Sequence, residues 1–311
     1  MLSFNELRVF LAAAETENFS EAARRLGMTQ PAVSQQVRSL EQRLSTDLFD
    51  RSGRNVTLTA AGRTLIPLAR DVMERAVHLE ESMASLEGEV VGLLKIGCST
   101  AAGKYVLPRL LAGLRASHPR VDVVCNVTNR KAALDQLRSG EVQVALTSLR
   151  EPLRAIEYRP FLTDRIVLIA PRGHPWSRRA ATITVAELLR ERFIVREDTS
   201  GTTEAVRGAL ARHDVAIEEL KVNMVLGSSE AIRMAVAEGI GVGFVSGMVA
   251  AEAVMAGTVS VIPVENLDIT TTLFMARATD RPATRAQSAF WEHAFSPDND
   301  EIRRRPARLP A

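Results

Sequence analysis

The stretch of 25 residues beginning at Phe19, FSEAARRLGMTQPAVSQQVRSLEQR, limits the fold more than any other part of the chain. Ser20 is a suitable N-cap for a short helix, and Gly27 supplies the left-handed residue at which that helix ends. A tight turn follows. Pro31 then lies in the first turn of a second helix, where its missing N–H leaves no hydrogen bond unmade. The sequence therefore predicts two short helices joined by a glycine turn.

The second of these helices is amphipathic. Its apolar residues recur at i, i+4, i+7 and i+11, which places on one face Val33, Val37, Leu40 and Leu44. The opposite face carries amide, hydroxyl and guanidinium groups that can bond to base edges and phosphates in a DNA major groove. This is typical of a recognition helix, although amphipathic helices joined by a glycine turn also occur in many all-α domains.

The flanking sequence favours DNA binding over that alternative. Residues 4–11 form an amphipathic helix that can cover the pair, and residues 48–49 and 56–58 indicate two short strands around a turn at residues 52–53. Arginines near the tip of such a wing can reach the phosphate backbone or a narrow minor groove. The candidate DNA-binding residues are Ser20, Thr29, Gln30, Pro31, Ser34, Gln35, Arg38, Arg51 and Arg54.

Two motifs carry a specific resemblance. The order QPAVSxxVxxLE from Gln30, then LFxRxxRxVxLTxAG from Leu48, then a long helix, resembles the winged helix-turn-helix of the LysR-type transcriptional regulators. The resemblance implies a multidomain α and α/β chain with a winged helix-turn-helix, a long linker helix and a two-subdomain, periplasmic-binding-protein-like α/β domain. It implies double-stranded DNA and further copies of the chain as partners, as a homodimer or homotetramer, with RNA polymerase a candidate partner. It leans toward the carbon- and sulfur-assimilation subgroup (CbbR-, CysB- or CysL-like).

The length and composition of the chain are those of an ordinary globular protein with room for two or three compact units. The chain has 311 residues and a net charge of +2, so the argument for DNA rests on where charges lie and not on their sum. We expect no membrane span, because no run of about 18 apolar residues occurs. We expect no signal peptide, because charges interrupt the N-terminal stretch, and therefore a cytoplasmic protein. Two cysteines give no disulfide framework.

A long helix is predicted from the cap residue Thr59 to about Glu87, a linker spanning residues 59–88 after a DNA-binding domain at 1–58. Its apolar positions are spaced 4, 3, 4, 3, 4, 3, a heptad seam. A helix packed on its own domain is the alternative, but the charged residues between these positions favour a coiled-coil dimer. The candidate dimerisation residues are Leu65, Val72, Leu79, Met83 and Leu86.

From about Val91 apolar runs alternate with amphipathic helices, which predicts α/β units on mostly parallel sheets. Residues 161–165 are a candidate first crossing and residues 264–269 a candidate return. The expected effector-binding domain is 89–296, with subdomain I at 89–162 and 267–296 and subdomain II at 163–266. Residues 297–311 are expected to be a disordered tail because of their Asp, Arg and Pro content.

Hydroxyl groups follow many of the predicted strands. Ligands of open α/β sheets bind beyond the carboxyl ends of strands, and helix N-termini there favour an anion. Ser and Thr are also preferred N-caps whatever the cleft holds. The resemblance implies that these loops line the inducer site. The candidate effector-binding residues are Ser99, Thr100, Thr128, Thr147, Ser200, Gly201, Thr202, Thr203 and Ser228.

The ligand class follows from the surroundings of these residues. Nearby cations are few, with Arg130, Lys131 and Arg196 the candidates. A largely neutral, hydroxyl-lined pocket fits a small carboxylate or inorganic oxyanion better than a bulky aromatic. We expect such an effector and no cofactor or metal.

An enzyme is the first rival interpretation. The five histidines are scattered without metal-ligand spacing, and no GxSxG motif occurs. The series that begins at Gly239, GIGVG, precedes a strand where a dinucleotide-binding loop would follow one. No catalytic residues are expected.

A regulator triggered by cysteine oxidation is the second rival. Cys98 and Cys125 lie on neighbouring predicted strands. A cysteine on a buried strand is usually a packing residue, and no basic residue adjoins either one to favour the thiolate.

Overall fold

The computed structural model describes residues 2–51, 56–84, 89–178 and 182–304. Three helices and a small hairpin open the chain, and a long helix follows. The elements are α1 (Phe4–Thr16), α2 (Phe19–Leu26), α3 (Gln30–Leu44), β1 (Phe49–Asp50), β2 (Thr57–Leu58) and α4 (Ala60–Ala84). In the described part of the chain no helix combines the length and apolarity that crossing a membrane requires.

Capping residues define the ends of the first helices. Gly27 adopts φ +64° at the end of α2, as predicted, because that left-handed conformation carries no penalty for glycine. Thr29 caps α3, with Pro31 in its first turn. The predicted cap Ser20 is wrong. Asn18 accepts hydrogen bonds from the N–H groups of Ser20 and Glu21 at 2.9 and 3.1 Å, so α2 begins two residues earlier than a cap at Ser20 allows.

The three helices and the hairpin share one apolar core. Val33, Val37 and Leu40 of α3 are fully buried in it. Phe49 of β1 meets the rings of Phe10 and Phe19 edge to face, with centroids 5.8 and 5.2 Å apart. The hairpin is therefore fixed to the helices through aromatic contacts.

Helix α4 begins as predicted. The N–H of Gly62 donates to Thr59 Oγ1 at 3.0 Å. Its first turns belong to the DNA-binding unit, because Ala69 is buried in that core and Leu65 packs against it. Farther along the helix Leu79 and Met83 are 65% and 62% exposed, and the predicted seam residue Leu86 lies outside the described residues. The start of α4 is thus packed on its own domain, as in the alternative interpretation of this helix. Its later turns expose an apolar seam.

The rest of the chain alternates strands and helices. The elements are β3 (Gly92–Ser99), α5 (Thr100–Tyr105), α6 (Leu107–Ser117), β4 (Val121–Thr128), α7 (Arg130–Arg138), β5 (Val144–Thr147), β6 (Ile156–Pro171), α8 (Val185–Leu188), β7 (Arg192–Arg196), α9 (Gly201–Ala211), β8 (Lys221–Leu226), α10 (Ser229–Ala237), β9 (Gly243–Ser246), α11 (Gly247–Met255), β10 (Val259–Ile262), β11 (Ile269–Ala278), α12 (Arg285–Phe295) and α13 (Asp300–Arg304). Short 3₁₀ turns lie at Pro175–Arg178, Ile217–Glu219 and Pro297–Asn299.

One seven-stranded sheet has the order β10-β6-β11-β5-β3-β4, with β9 also paired to β6, and β7 and β8 form a separate pair. Strand β3 is parallel to β4 and β5, and β7 is parallel to β8. The pairs that involve β6 or β11 are antiparallel. The expectation of mostly parallel sheets is therefore wrong, because β6 and β11 cross between the two halves in opposite directions.

These two strands pass from one apolar core to the other. In β6, Leu162 belongs to the core around β3, β5 and α12, whereas Ile166 belongs to the core around β7 and α9. The outward crossing thus lies inside the stretch 161–165 expected for it. In β11, Ile269 belongs to the core around β7 and α9, and Leu273 belongs to the core around β3, β5 and α12. The return crossing therefore comes a few residues after the stretch 264–269 expected for it.

Residues 297–304 are not the disordered segment expected from their composition. They form a 3₁₀ turn and α13, and Arg303 donates to the carbonyl of Ala294 at 2.7 Å while its guanidinium lies over the ring of Phe295. The expectation fails there because contacts with α12 order a polar segment. Residues 305–311 lie outside the described part of the chain.

Candidate DNA-binding surface and ligand cleft

Helix α3 presents its polar face outward. Its predicted groups Gln30, Pro31, Gln35 and Arg38 are exposed, and Ser34 is half-buried. The cap residue Thr29 and the hydroxyl-bearing Ser20 are also exposed. The predicted DNA-binding residues of α2 and α3 thus share one accessible surface, opposite the face that carries the buried valines.

A buried acid holds α3 in this orientation. Glu6 of α1 accepts hydrogen bonds from Ser39 Oγ at 2.7 Å and Arg43 Nε at 3.1 Å. The hydrogen bond from Ser39 is the largest influence, and with the Arg43 guanidinium it lowers the pKa of Glu6 despite desolvation. The ionised carboxylate therefore ties α1 to the side of α3 that faces the protein. No sequence pattern predicted this contact.

Arg51, predicted to contact the DNA backbone, has a partner inside the protein. Its guanidinium donates to Glu41 Oε2 at 2.6 Å and lies 5.5 Å from the centroid of the Phe19 ring. Glu41 also accepts from the N–H groups of Leu48 and Phe49. Arg51 thus fastens the hairpin to α3 and α2. Arg54 and the turn at residues 52–53 lie outside the described residues.

A cavity of about 90 Å³ lies between the two halves of the α/β region and is lined by residues of both. Six predicted effector residues line it, namely Ser99, Thr100, Thr128, Ser200, Gly201 and Thr202. Their placement follows from the topology, because strand ends and helix starts converge at this point. At the start of α9, Ser200 Oγ accepts from the N–H groups of Thr202 and Thr203 at 3.1 and 3.5 Å.

Three other predicted effector residues have structural contacts and do not line the cavity. Thr147 is buried and donates to the carbonyl of Arg130 at 2.9 Å. Thr203 Oγ1 donates to the carbonyl of Arg196 at 3.2 Å. Ser228 caps α10, whereas its neighbour Ser229 reaches the cavity. All three hydroxyls thus bond to backbone groups, and Ser228 does so as the N-cap that the sequence allowed for.

The charged groups of the cavity are more numerous than the sequence indicated. Arg130 donates to the carbonyl of Thr199 at 2.8 Å and pairs with Glu204. Arg196 donates through two nitrogens to Glu197, at 2.8 and 2.7 Å, and through the third to Ser229 at 3.1 Å. Lys131, the remaining candidate cation, is exposed and does not line the cavity.

Sequence reasoning did not single out several lining residues. Among those it passed over are Asp164, Glu197, Glu230, Met248 and Thr271. Asp164 left a trace in the sequence, as an acid between Thr163 and Arg165 inside the largely apolar strand segment FLTDRIVLIA. An acid in that setting either lies at an exposed position or needs a specific partner. Only the sheet register shows that it faces inward.

The two cysteines do not form a disulfide, and both are free thiols. Burial raises the pKa of Cys98 to about 12 and also raises the pKa of Cys125. Since the thiolate is the reactive form, this environment disfavours oxidation at Cys98, which is buried, whereas Cys125 is exposed. Their strands are adjacent, as expected, with Cys98 opposite Val127 and Cys125 opposite Ile96.

The fold and its two sites define a class of protein. A winged helix-turn-helix with an outward recognition helix, joined by one long helix to an α/β unit with a polar cleft, is the architecture of a ligand-responsive DNA-binding regulator. Residues 4–63 match the family described as "Bacterial regulatory helix-turn-helix protein, lysR family", and residues 87–296 match the "LysR substrate binding domain". The chain belongs to the LysR family of transcriptional regulators, which are not enzymes.

Several named proteins are similar to it over most of their length. The "RuBisCO operon transcriptional regulator" of Allochromatium vinosum is 34% identical over 79% of this chain and 80% of its own. The regulator CbbR of Sinorhizobium medicae is 32% identical over 95% and 93%. The regulatory domain of CcmR from Synechocystis PCC6803, solved in complex with 2-PG, is 28% identical with a TM-score of 0.60, covering 66% of this chain and 96% of that domain.

Proposed function

We propose that this chain regulates genes of carbon assimilation, binding operator DNA as a homo-oligomer in the cytoplasm and responding to a small anion in the cleft. The names of its relatives refer to the RuBisCO operon, and a related regulatory domain was solved with 2-PG. In this proposal the responsive domain spans residues 89–296, with subdomains that meet near residues 162–163 and 266–267.

The single observation that carries the ligand proposal is the composition of the cleft. Helices α7, α9 and α10 begin at its edge, and Arg130 and Arg196 lie among its hydroxyl groups. Free N–H groups and guanidinium groups are the usual ligands of carboxylates and oxyanions. The cavity is small, which favours a compact ligand over a bulky one.

Both arginines already contact acids of the protein. An incoming anion must therefore share or displace the carboxylates of Glu197 and Glu204. Arg130 extends from α7 to Glu204 in α9, so this contact spans the cleft. An anion that competes for Arg130 would change the link between the two halves, and ligand binding would thereby change their relative position.

Self-association is proposed from two separate apolar surfaces. One is the seam of α4 with Val72, Leu79 and Met83, each more than 40% exposed. The other is the edge strand β4, where Val124 and Val127 are 47% and 52% exposed. Two distinct self-complementary surfaces on one chain produce a tetramer, whereas one produces a dimer.

Isothermal titration with small carboxylates and phosphate esters tests the ligand class. We expect one or more anions to bind, and Arg130→Gln to weaken that binding at least about tenfold. Lys131→Gln is the matched control, because it removes the same charge one residue away from an exposed position outside the cavity. Binding of only uncharged or cationic ligands, or equal losses in the two variants, would contradict the proposal.

A further inference from the structure

Gly201 and Ser148 face each other across the cleft. Gly201 is the first residue of α9, in the half that contains β7, and Ser148 follows β5 in the other half. Both residues line the cavity. A Cβ atom added to Gly201 would overlap Ser148 Oγ, with the Cβ of Ser148 at 3.4 Å and Arg130 Cδ at 3.7 Å. The two halves therefore meet so closely here that position 201 has no space for a side chain while Ser148 keeps its position.

The backbone at position 201 does not require glycine. Gly201 starts α9 and is not among the glycines with a positive φ, unlike Gly140 at +72°. At a helical position alanine normally stabilises a protein relative to glycine, because it has less freedom to lose on folding. What excludes a side chain at position 201 is therefore the approach of the opposite half of the cleft.

Other glycines at close contacts have a different role. A side chain on Gly113 would collide with His293, within the half that contains β3. A side chain on Gly241 would collide with the carbonyl of Arg192, within the half that contains β7. Those contacts serve packing inside one half. The contact of Gly201 instead sets the distance between the halves.

A second contact joins the halves beside the first. Arg130 Nε donates to the carbonyl of Thr199 at 2.8 Å, two residues before Gly201. Arg130 begins α7 in one half, whereas the other cleft arginine, Arg196, ends β7 in the opposite half. The approach of α9 to Ser148 therefore also sets how far apart the two halves hold these arginines, which are the cationic groups that an anion meets in the cavity.

We propose that Gly201 determines the width of the cleft and thereby the length of the anion that it accepts. Because position 201 has no side chain, α9 packs directly on Ser148, and only a short anion fits between the arginines of the two halves. A side chain at this position holds the halves farther apart and favours a longer anion. This inference rests on the proposed function, since it assumes that an anion occupies the cleft.

Titration calorimetry with homologous dianions measures the width. Oxalate, malonate, succinate, glutarate and adipate lengthen by one methylene at each step. Phosphonoformate, phosphonoacetate and 3-phosphonopropionate form a second series with a phosphorus oxyanion at one end. We expect the wild-type chain to prefer one length. Gly201→Ala should bind that length about tenfold less tightly, as the loss of one hydrogen bond to a charged group predicts, and should prefer a longer member.

A second substitution tests the contact itself. Ser148→Ala removes the oxygen with which the new Cβ collides, so its combination with Gly201→Ala should restore the wild-type length preference. Ser148→Ala alone should keep that preference. Gly201→Val, whose side chain no rotation of Ser148 accommodates, should shift the preference at least as far as Gly201→Ala. Gly208→Ala is the matched control, because Gly208 lies in the same helix and an added Cβ would have nothing within 4 Å.

The outcomes distinguish this inference from the function on which it rests. An unchanged length preference in Gly201→Val, or an equal loss of affinity for every length, overturns the role of Gly201 and leaves the anion proposal intact. An equal shift in Gly208→Ala, or wild-type binding of monocarboxylates without any of the dianions, does the same. A failure of all small anions to bind overturns both proposals together.

Discussion

Arg70 of α4 donates to Glu15 of α1 across 3.3 Å, and a second nitrogen of the same guanidinium donates to the carbonyl of Ser139 at 3.3 Å. Ser139 ends helix α7, which begins with the cleft residue Arg130. One short helix thus has its first residue in the cleft and its last turn against the arginine that contacts the DNA-binding unit. This gives a physical route for coupling between the two sites.

Removal of Arg70 should therefore uncouple the sites. We expect Arg70→Ala to reduce the effect of ligand on operator affinity severalfold while both separate affinities stay within about threefold, since coupling energies are typically about 1–3 kcal/mol. Fluorescence anisotropy with and without ligand measures this. Arg75→Ala is the control, because Arg75 is exposed and pairs with Asp71 of its own helix. An unchanged ligand response in Arg70→Ala would exclude this route.

Specific recognition should depend on Gln35 and general affinity on Arg38. We expect Gln35→Ala to change which operator sequence is preferred, by about 1–3 kcal/mol at one base position. Arg38→Ala should weaken binding to all sequences and lower the slope of log affinity against log salt by about one if it contacts a phosphate. Binding titrations at several salt concentrations measure both effects. Arg115→Ala, on the remote helix α6, should alter neither.

Arg54, which lies outside the described residues, is still predicted from the sequence to contact the DNA backbone from the wing. We expect Arg54→Ala to weaken DNA binding without regard to sequence and to lower the salt slope by about one. Arg51→Ala should act differently, because it breaks the contact with Glu41 and should also lower the melting temperature. Unchanged affinity and salt slope in Arg54→Ala would show that the wing does not reach the DNA backbone.

Self-association should respond to charge on the α4 seam. We expect Leu79→Glu combined with Met83→Glu to raise the dissociation constant of the oligomer at least about tenfold, because two charges would be buried without partners. Sedimentation velocity measures the distribution of species. Met255→Glu is the control, since Met255 is 73% exposed on α11, away from the seam. Identical sedimentation of the double variant and the wild type would remove α4 from the interface.

The stability of the protein should reveal the buried state of Asp164. Its pKa rises from 3.8 to about 6, so folding favours the protonated form and the folded state is penalised as pH rises through that range. We expect the stability of Asp164→Asn relative to wild type to increase between pH 4 and pH 8 by up to about 3 kcal/mol. Denaturant unfolding at both pH values measures it. A pH-independent difference, such as we expect for Thr163→Ala, would mean that Asp164 is not desolvated.

Individual elements show which features of the fold and of the sites could be predicted from the sequence. The buried stripe of Val33, Val37 and Leu40 was predicted because helical spacing is a local property of the chain. The cap at Asn18 was missed because Asn18 and Ser20 are both good caps and only the backbone conformation decides between them. For the cleft, the positions of the predicted strand ends identified six of the hydroxyl-bearing loop residues and glycines that line it. They could not show that Ser229 lines the cavity while Ser228 caps α10, because that depends on the exact start of the helix.

The sequence by itself determined the recognition helix, the hairpin, the linker helix and the alternation of strands and helices, because each follows from patterns within about 20 residues. Only the tertiary structure decided the antiparallel crossing of β6 and β11, the pairing of Arg70 with Glu15 and the burial of Asp164. These depend on contacts between residues far apart in the chain, and such contacts arise from packing that no local pattern encodes.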